Sequence, residues 1–410
     1  MEVGIEAINV YAGPAVLDVR SLFEARGLNL ERFDNLMMDK KSVGLPCEDP
    51  VTNGVNAAKP IIDGLSPEEK NRIEMIIVAT ESGLDFGKSL STYIHDYLGL
   101  SRNCRSFEIK HACYGGTAAL QMAASFIASG VSPGARVLIV ATDVMLDPGK
   151  HTYGESTQAI GAVAMLVGDN PQIMEIDLGA YGVYSYEVMD IYRPQADLET
   201  GDVDLSLLSY MDCFDQCYKS YEQKVDGADF LKTFDYLAFH TPFPGMVKGA
   251  HRRLMRRFRH LSPQQVEEDF QVRVGPSLHY CAQVGNLYSA TLYLALCGII
   301  DGIEPRTCQR IGLFSYGSGC SSEFFSGLIS PRAREKLSGM KIQAQLDRRY
   351  RVDMKEYDRL LELNMGWGFG IKDKESDKSQ YPRIYEHFME GRKYLVLKQV
   401  KNFHREYEWS

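Results

Sequence analysis

At 410 residues and 45% hydrophobic composition, the chain can bury a large core and suits two or three average domains or one large duplicated one. A formal net charge of −9 speaks against wholesale nucleic-acid binding. Nine scattered cysteines, an odd number, favour a reducing cytoplasm over a disulfide framework, and no run is long and apolar enough to span a membrane.

The opening MEVGIEAINVYAG reads as a strand with acids in it, unlike a secretory leader. Further apolar runs read as buried strands: MIIVAT (75–80), RVLIVATD (136–143), AVAMLVGD (162–169), YLAFHT (236–241) and RIGLFSYGSG (310–319), while SFEIK (106–110) alternates apolar and polar as a half-buried strand does. Between them lie helical patterns such as LSTYIHDYLGL, ALQMAASFIASG, SLLSYMDCFDQCYKSYEQ and NLYSATLYLALCGII. Alternating strand and helix predicts an α/β fold with buried sheets. RVLIVATD and RIGLFSYGSG are similar elements in the two halves, so a duplication is expected, with an N-terminal half over 1–170 and a C-terminal half over 171–410. The stretch at about 190–225 reads as an insertion carrying helices. Cys213 and Cys217 sit four apart on one helix face, but no second pair with zinc spacing lies nearby.

Three polar residues follow apolar strands, where α/β enzymes place their chemistry. Glu81, in VATESGLDFGKS, would emerge beside a hydrophobic sheet; its pKa would rise, as suits a general base, and the plainer reading is a cap or surface acid. Cys113, in HACYGGTAAL, falls at a strand-to-helix turn, where the helix dipole would lower a thiol's pKa; otherwise it is a small core cysteine. His240, in YLAFHTPFPGM, is held by a rigid turn and is either a catalytic or a core histidine. A cysteine, a histidine and a glutamate from separate strands suit nucleophilic catalysis with acid/base help. The Gly317-Ser318-Gly319 turn offers amides for an oxyanion. Asn286, after Gly285, either donates to a substrate carbonyl or caps a helix.

With these pieces in view, the chain resembles the 3-hydroxy-3-methylglutaryl synthases of the thiolase superfamily over nearly its whole length. The matching segments are GIEAINVY, NAAKPII, IVATESGLDFGKS, KHACYGGTAALQ, VLIVATD, GESTQAIGAVAMLVGD, FHTPFPGM, GNLYSATLYLAL and FSYGSGCSSEFFS. The resemblance implies a thiolase fold with a duplicated five-layer αβαβα core, a homodimer, and Cys113, Glu81 and His240 as nucleophile, base and acid. It also implies that Asn286 and Ser318 serve substrate positioning and the oxyanion. Metal or redox cofactors are not expected.

Departures point within the family. After FH-x-PF, Pro244 and Gly245 stand where the coenzyme A enzymes carry lysine, and only Lys248 is retained. His111 replaces a frequent glutamate, and a family tyrosine has no obvious counterpart in DVMLDPGKHTYGEST. The segment VLDVRSLFEARGLNLERFDNLMMDKKSVGLPCEDPVTNGVNAAKPIIDGL is most like the polyketide β-branching enzymes, so acyl groups tethered by phosphopantetheine to donor and acceptor carrier proteins are the expected substrates. The alternatives are a primary-metabolism enzyme using acetyl-CoA and acetoacetyl-CoA, or an inactive scaffold on the same fold. In KGAHRRLMRRFRH (248–260), Ala250, Leu254 and Phe258 form an inward stripe, leaving Lys248, Arg252, Arg253, Arg256, Arg257 and Arg259 outward. That face either receives an acidic carrier protein and its pantetheine phosphate or is simply solvated.

Overall fold

The structure, a computed structural model, describes residues 2–146, 148–195, 198–258, 260–304 and 307–410. The elements that place the site are strands β1 (Gly4–Tyr11), β2 (Ile73–Ala79), β3 (Arg105–Ile109), β4 (Arg136–Asp143), β5 (Gly161–Gly168), β6 (Met174–Ser185), β7 (Ile191–Gln195), β8 (Leu198–Gly201), β9 (Tyr236–Phe239), β10 (Gln309–Gly317) and β11 (Ser321–Ile329). The helices are α1 (Pro50–Asp63), α2 (Gly115–Ala128), α3 (Val203–Lys224), α4 (Pro244–Met255) and α5 (Thr291–Gly302).

Nine of these strands form one sheet in the order β9-β10-β11-β6-β1-β5-β4-β2-β3. Its two ends repeat one wiring. In the first half β4 runs parallel to β2 and antiparallel to β5, which is antiparallel to β1. In the second, β10 runs parallel to β9 and antiparallel to β11, which is antiparallel to β6. The halves join where Gly4 and Ile5 of β1 face Glu175 and Met174 of β6.

The strands read as continuous apolar runs because both faces are covered. Ile77 and Ala79 of β2, Ile139 of β4 and Leu313 of β10 share a core with α2 and α5. On the opposite faces, Ile76 and Val140 pack with Val55 of α1, and Phe314 packs with Tyr210 and Phe214 of α3. Each half of the one sheet is thus covered on its outer face by its own helix, with α2 and α5 packed in a shared core between the halves, the layering expected of a thiolase fold. Alanines at 119, 123 and 124 let α2 sit deep in the middle layer.

The segment at 190–225 differs from a purely helical insertion. It opens as the β7–β8 hairpin and only then becomes the long helix α3. The short IYRPQ strand contains a proline, which obscures its pattern but is tolerated in an edge hairpin. No helix among the described residues is long and apolar enough to cross a membrane.

Candidate active site

Cys113 lies between the end of β3 and the start of α2, in a turn whose preceding residue, Ala112, has a φ of 39°. That left-handed conformation costs a non-glycine residue free energy and persists only where packing enforces it. The enforcement comes from the second half. A Cβ at Gly317 would stand 2.5 Å from the Tyr114 amide nitrogen, and one at Gly116 would stand 2.3 Å from the Ser289 carbonyl oxygen. Both glycines are therefore required for close backbone approach. Tyr114 also donates its hydroxyl to Glu323 on β11 at 2.8 Å.

Glu81 follows the C-terminal end of β2 and faces a cluster of charges. Its carboxylate lies 3.1 Å from Nη2 of Arg193 on β7, and Arg193 Nε lies 3.4 Å from Glu199 on β8. The amide of Glu81 donates to Asp143, the last residue of β4, at 2.8 Å. Asp143 also accepts from the hydroxyls of Thr80, Ser82 and Ser289, at 3.0, 3.0 and 2.6 Å. Arg193 stacks over the Tyr288 ring, 4.8 Å from its centre, and Gln158 donates to Glu199. Burial, only partly opposed by Arg193, raises the Glu81 carboxyl to about 8.

The same surroundings reverse the expectation for the thiol. Cys113 keeps a partly exposed surface, yet burial and the charges of Glu81, Asp143 and Glu199 push its pKa well above the usual thiol value. The helix-end field expected to lower it is a local effect, and here desolvation and nearby carboxylates outweigh it. The thiol rests protonated and must shed its proton as it attacks.

His240 follows β9 and is almost completely buried. Its amide donates to Phe314 of β10 at 2.7 Å, and its carbonyl accepts from Tyr210 at 2.7 Å. Its Nδ1 has no hydrogen-bond partner among the described residues. Burial lowers its pKa to about 3, so the ring is neutral. Asn286 closes the turn ahead of α5 without being the helix cap itself: its Oδ1 accepts from the Tyr288 amide and the Thr291 hydroxyl, each at 2.9 Å. That arrangement leaves its amide donors for another group. Ser318 lies in the turn after β10, which is pinned by Gly319 donating to Asp190 at 2.9 Å.

The basic segment forms α4 to Met255, with Ala250 and Leu254 buried and Phe258 half-buried against the same core. Several of its cations are already paired: Lys248 and Arg252 with Glu267, at 2.6 and 2.7 Å, and Arg253 and Arg257 with Asp215, at 2.9 and 3.8 Å. Arg256 is exposed with no ion pair among the described residues. Arg259 lies outside the described residues.

Glu81 and Cys113 are thus neighbours in one charged pocket, with Asp143, Arg193, Glu199 and Tyr288 as members that sequence reasoning missed. Asp143 carried a signal, since it ends an apolar strand; Arg193 and Glu199 carried none. His240 enters from the parallel strand beside β10, whose end touches the Cys113 turn. The arrangement can support acyl transfer to sulfur and removal of a proton from carbon.

Comparison with known proteins covers the whole chain. Residues 1–172 match the model of the hydroxymethylglutaryl-coenzyme A synthase N terminal region, and residues 174–269 and 256–409 match that of the C terminal region. The chain is 51% identical to the polyketide biosynthesis 3-hydroxy-3-methylglutaryl-ACP synthase PksG of Bacillus subtilis, over 99% of each chain. It is 35% identical to a hydroxymethylglutaryl-CoA synthase of Enterococcus faecalis, over 88% of this chain and 91% of the relative. Its structure superposes on the curacin biosynthetic pathway HMG synthase, solved in complex with apo donor-ACP, with a TM-score of 0.97 at 53% identity over all of both chains.

Proposed function

The chain belongs to the hydroxymethylglutaryl-coenzyme A synthase family, and we infer that it is a condensing acyltransferase of polyketide β-branching that works on carrier-protein-bound substrates. One observation carries the choice: identity is 51–53% to the carrier-protein synthase PksG and the curacin enzyme, against 35% to the coenzyme A enzyme of Enterococcus faecalis.

In this reading Cys113 attacks acetyl-carrier protein, loses its proton and becomes the acetyl thioester, releasing the pantetheine thiol. Backbone amides of Cys113 and Ser318 hold the thioester oxygen. Glu81, ionised, removes a methyl proton. The resulting enolate carbon attacks the β-keto carbon of a carrier-bound β-ketoacyl chain, which Asn286 and His240 orient and polarise. The new alkoxide takes the N–H proton of the neutral His240 ring as the ring's other nitrogen gains, through water, the proton that Glu81 removed. Water then hydrolyses the Cys113 thioester. The product is a 3-hydroxy-3-carboxymethyl acyl chain on its carrier protein. None of these steps calls for a metal or redox group; phosphopantetheine arms deliver both substrates.

Lys248, Arg252, Arg253, Arg256 and Arg257 form the carrier-facing surface in this proposal, with Arg256 the least committed to internal pairs. A homodimer belongs to the same reading, supported by β3, which ends the sheet with one edge unpaired among the described residues. So does a cytoplasmic location, where a free nucleophilic thiol persists. Intact-mass measurement after mixing with acetyl-carrier protein, and separately with acetyl-CoA, tests the choice. A 1:1 acetyl adduct forming faster from the carrier-bound donor is expected; equal or faster acetylation from acetyl-CoA would favour the primary-metabolism reading.

A further inference from the structure

The β7–β8 hairpin is tied to both halves of the molecule. At its base, Asp190 accepts from the Tyr316 hydroxyl at 2.6 Å and the Gly319 amide at 2.9 Å, beside the turn that carries Ser318. From there its two strands cross to the first half and set Arg193 and Glu199 against Glu81. Arg193 is fixed on several sides. It stacks on Tyr288, donates from Nη1 to the Ser82 hydroxyl at 3.1 Å, and lies against Glu81 on one side and Glu199 on the other. Only about a tenth of its side chain is exposed.

We propose that Arg193 is the positioning residue of the carbon-deprotonation step, orienting the Glu81 carboxylate by its guanidinium, and that Glu199 competes with Glu81 for that guanidinium. This rests on the role of Glu81 proposed above. Nη2 of the arginine lies 3.1 Å from Oε1 of Glu81 in an ion pair, and no protein donor among the described residues is hydrogen-bonded to either carboxylate oxygen. The guanidinium thus holds the carboxylate by charge and leaves its lone pairs free for the methyl proton. The charged and titratable groups facing Glu81 are Arg193 of β7, Glu199 of β8, Asp143 of β4, Tyr288 ahead of α5 and Cys113 ahead of α2. Within that set Arg193 is the cation, so the balance between its two glutamates sets how readily Glu81 ionises.

The test compares Arg193→Gln, Arg193→Lys and Glu199→Gln with the wild-type enzyme in two assays. The first is acetylation of Cys113 by intact mass. The second is the pH profile of single-turnover condensation from the pre-acetylated enzyme. Acetylation is expected to persist in all three variants. Removing the cation in Arg193→Gln should move the alkaline-rising limb of condensation to higher pH, by an amount on the order of one unit. Glu199→Gln removes the rival carboxylate and should move it to lower pH. Arg193→Lys should stay nearer wild type. General structural damage cannot shift one profile in opposite directions, so Glu199→Gln keeps the test decisive even if Arg193→Gln folds poorly. Profiles that coincide with wild type, or that both move the same way, would overturn the proposal. Loss of acetylation in Arg193→Gln together with an unmoved Glu199→Gln profile would overturn it too. A wild-type enzyme that takes no acetyl group would instead refute the function from which the proposal starts.

Discussion

Ser289 donates its hydroxyl to Asp143 at 2.6 Å, joining the residue that begins the approach to α5 to the last residue of β4. Asp143 in turn holds the backbone of Glu81. The two halves are thereby pinned together at the position of the base, and small changes there should be felt in catalysis.

Cys113→Ala should take up no acetyl group from acetyl-carrier protein. Intact-mass spectrometry reads this directly, and an adduct persisting on the variant would assign the nucleophile elsewhere.

Glu81→Gln should still acetylate, because acyl transfer to sulfur needs no carbon acid. Condensation should fall by about 10²–10⁴, the usual cost of losing a general base. The wild-type profile follows from the sign of the shift. A carboxyl raised to about 8 is protonated and inactive below that pH and ionised above it. Single-turnover condensation should therefore climb through that region, and the climb should vanish in Glu81→Gln.

His111 competes with His240 for the role of acid. It lies two residues before the cysteine, and its Nε2 is also without a partner among the described residues. His240→Ala should reduce single-turnover condensation by about 10²–10⁴, and His111→Ala only a few-fold. The reverse order would exchange their roles.

How much of this could be read from the chain alone varies with the range of the interaction. Strand β4 was expected at 136–143 and runs from Arg136 to Asp143, because a doubly covered strand needs a continuous apolar run. The cysteine's place between strand and helix was equally local. The charge pocket was not. Arg193 and Glu199 meet Glu81 across more than a hundred positions, from a hairpin whose residues carry no motif. The thiol's pKa was misjudged for the same reason. The helix end beside it is visible in sequence, whereas the carboxylates that overrule it arrive from other strands.

Gly116→Ala tests the tight seam between the halves. Its Cβ would fall 2.3 Å from the Ser289 carbonyl, so α2 or the 286–290 segment must move. A loss of about 1–3 kcal/mol is expected in denaturant unfolding, with slower acetylation because the Cys113 turn shifts with α2. Unchanged stability would mean that the seam yields more readily than its packing indicates.

Reversing charge on α4 tests the outer face. Arg253 and Arg257 answer Asp215, so changing them disturbs α3 as well. Arg252 answers the half-buried Glu267 outside α3, where Lys248 remains as a partner, and Arg256 has no ion pair among the described residues, so this pair leaves α3 in place. Arg252→Glu with Arg256→Glu should raise the apparent KM for a carrier-bound substrate several-fold at low ionic strength. The saturated rate should stay near wild type, and the difference should shrink as salt is added. An unchanged KM at low salt would leave this helix face as solvated surface only.

The site's reacting groups hang from strand ends deep in one sheet, whereas the arginines of α4 ride on the outermost layer. Replacing those arginines recolours a surface without turning any strand end. In the proposed reading, a chain of this architecture can trade one delivery partner for another without touching its chemistry, and a grafted α4 face should carry a new partner to an old reaction.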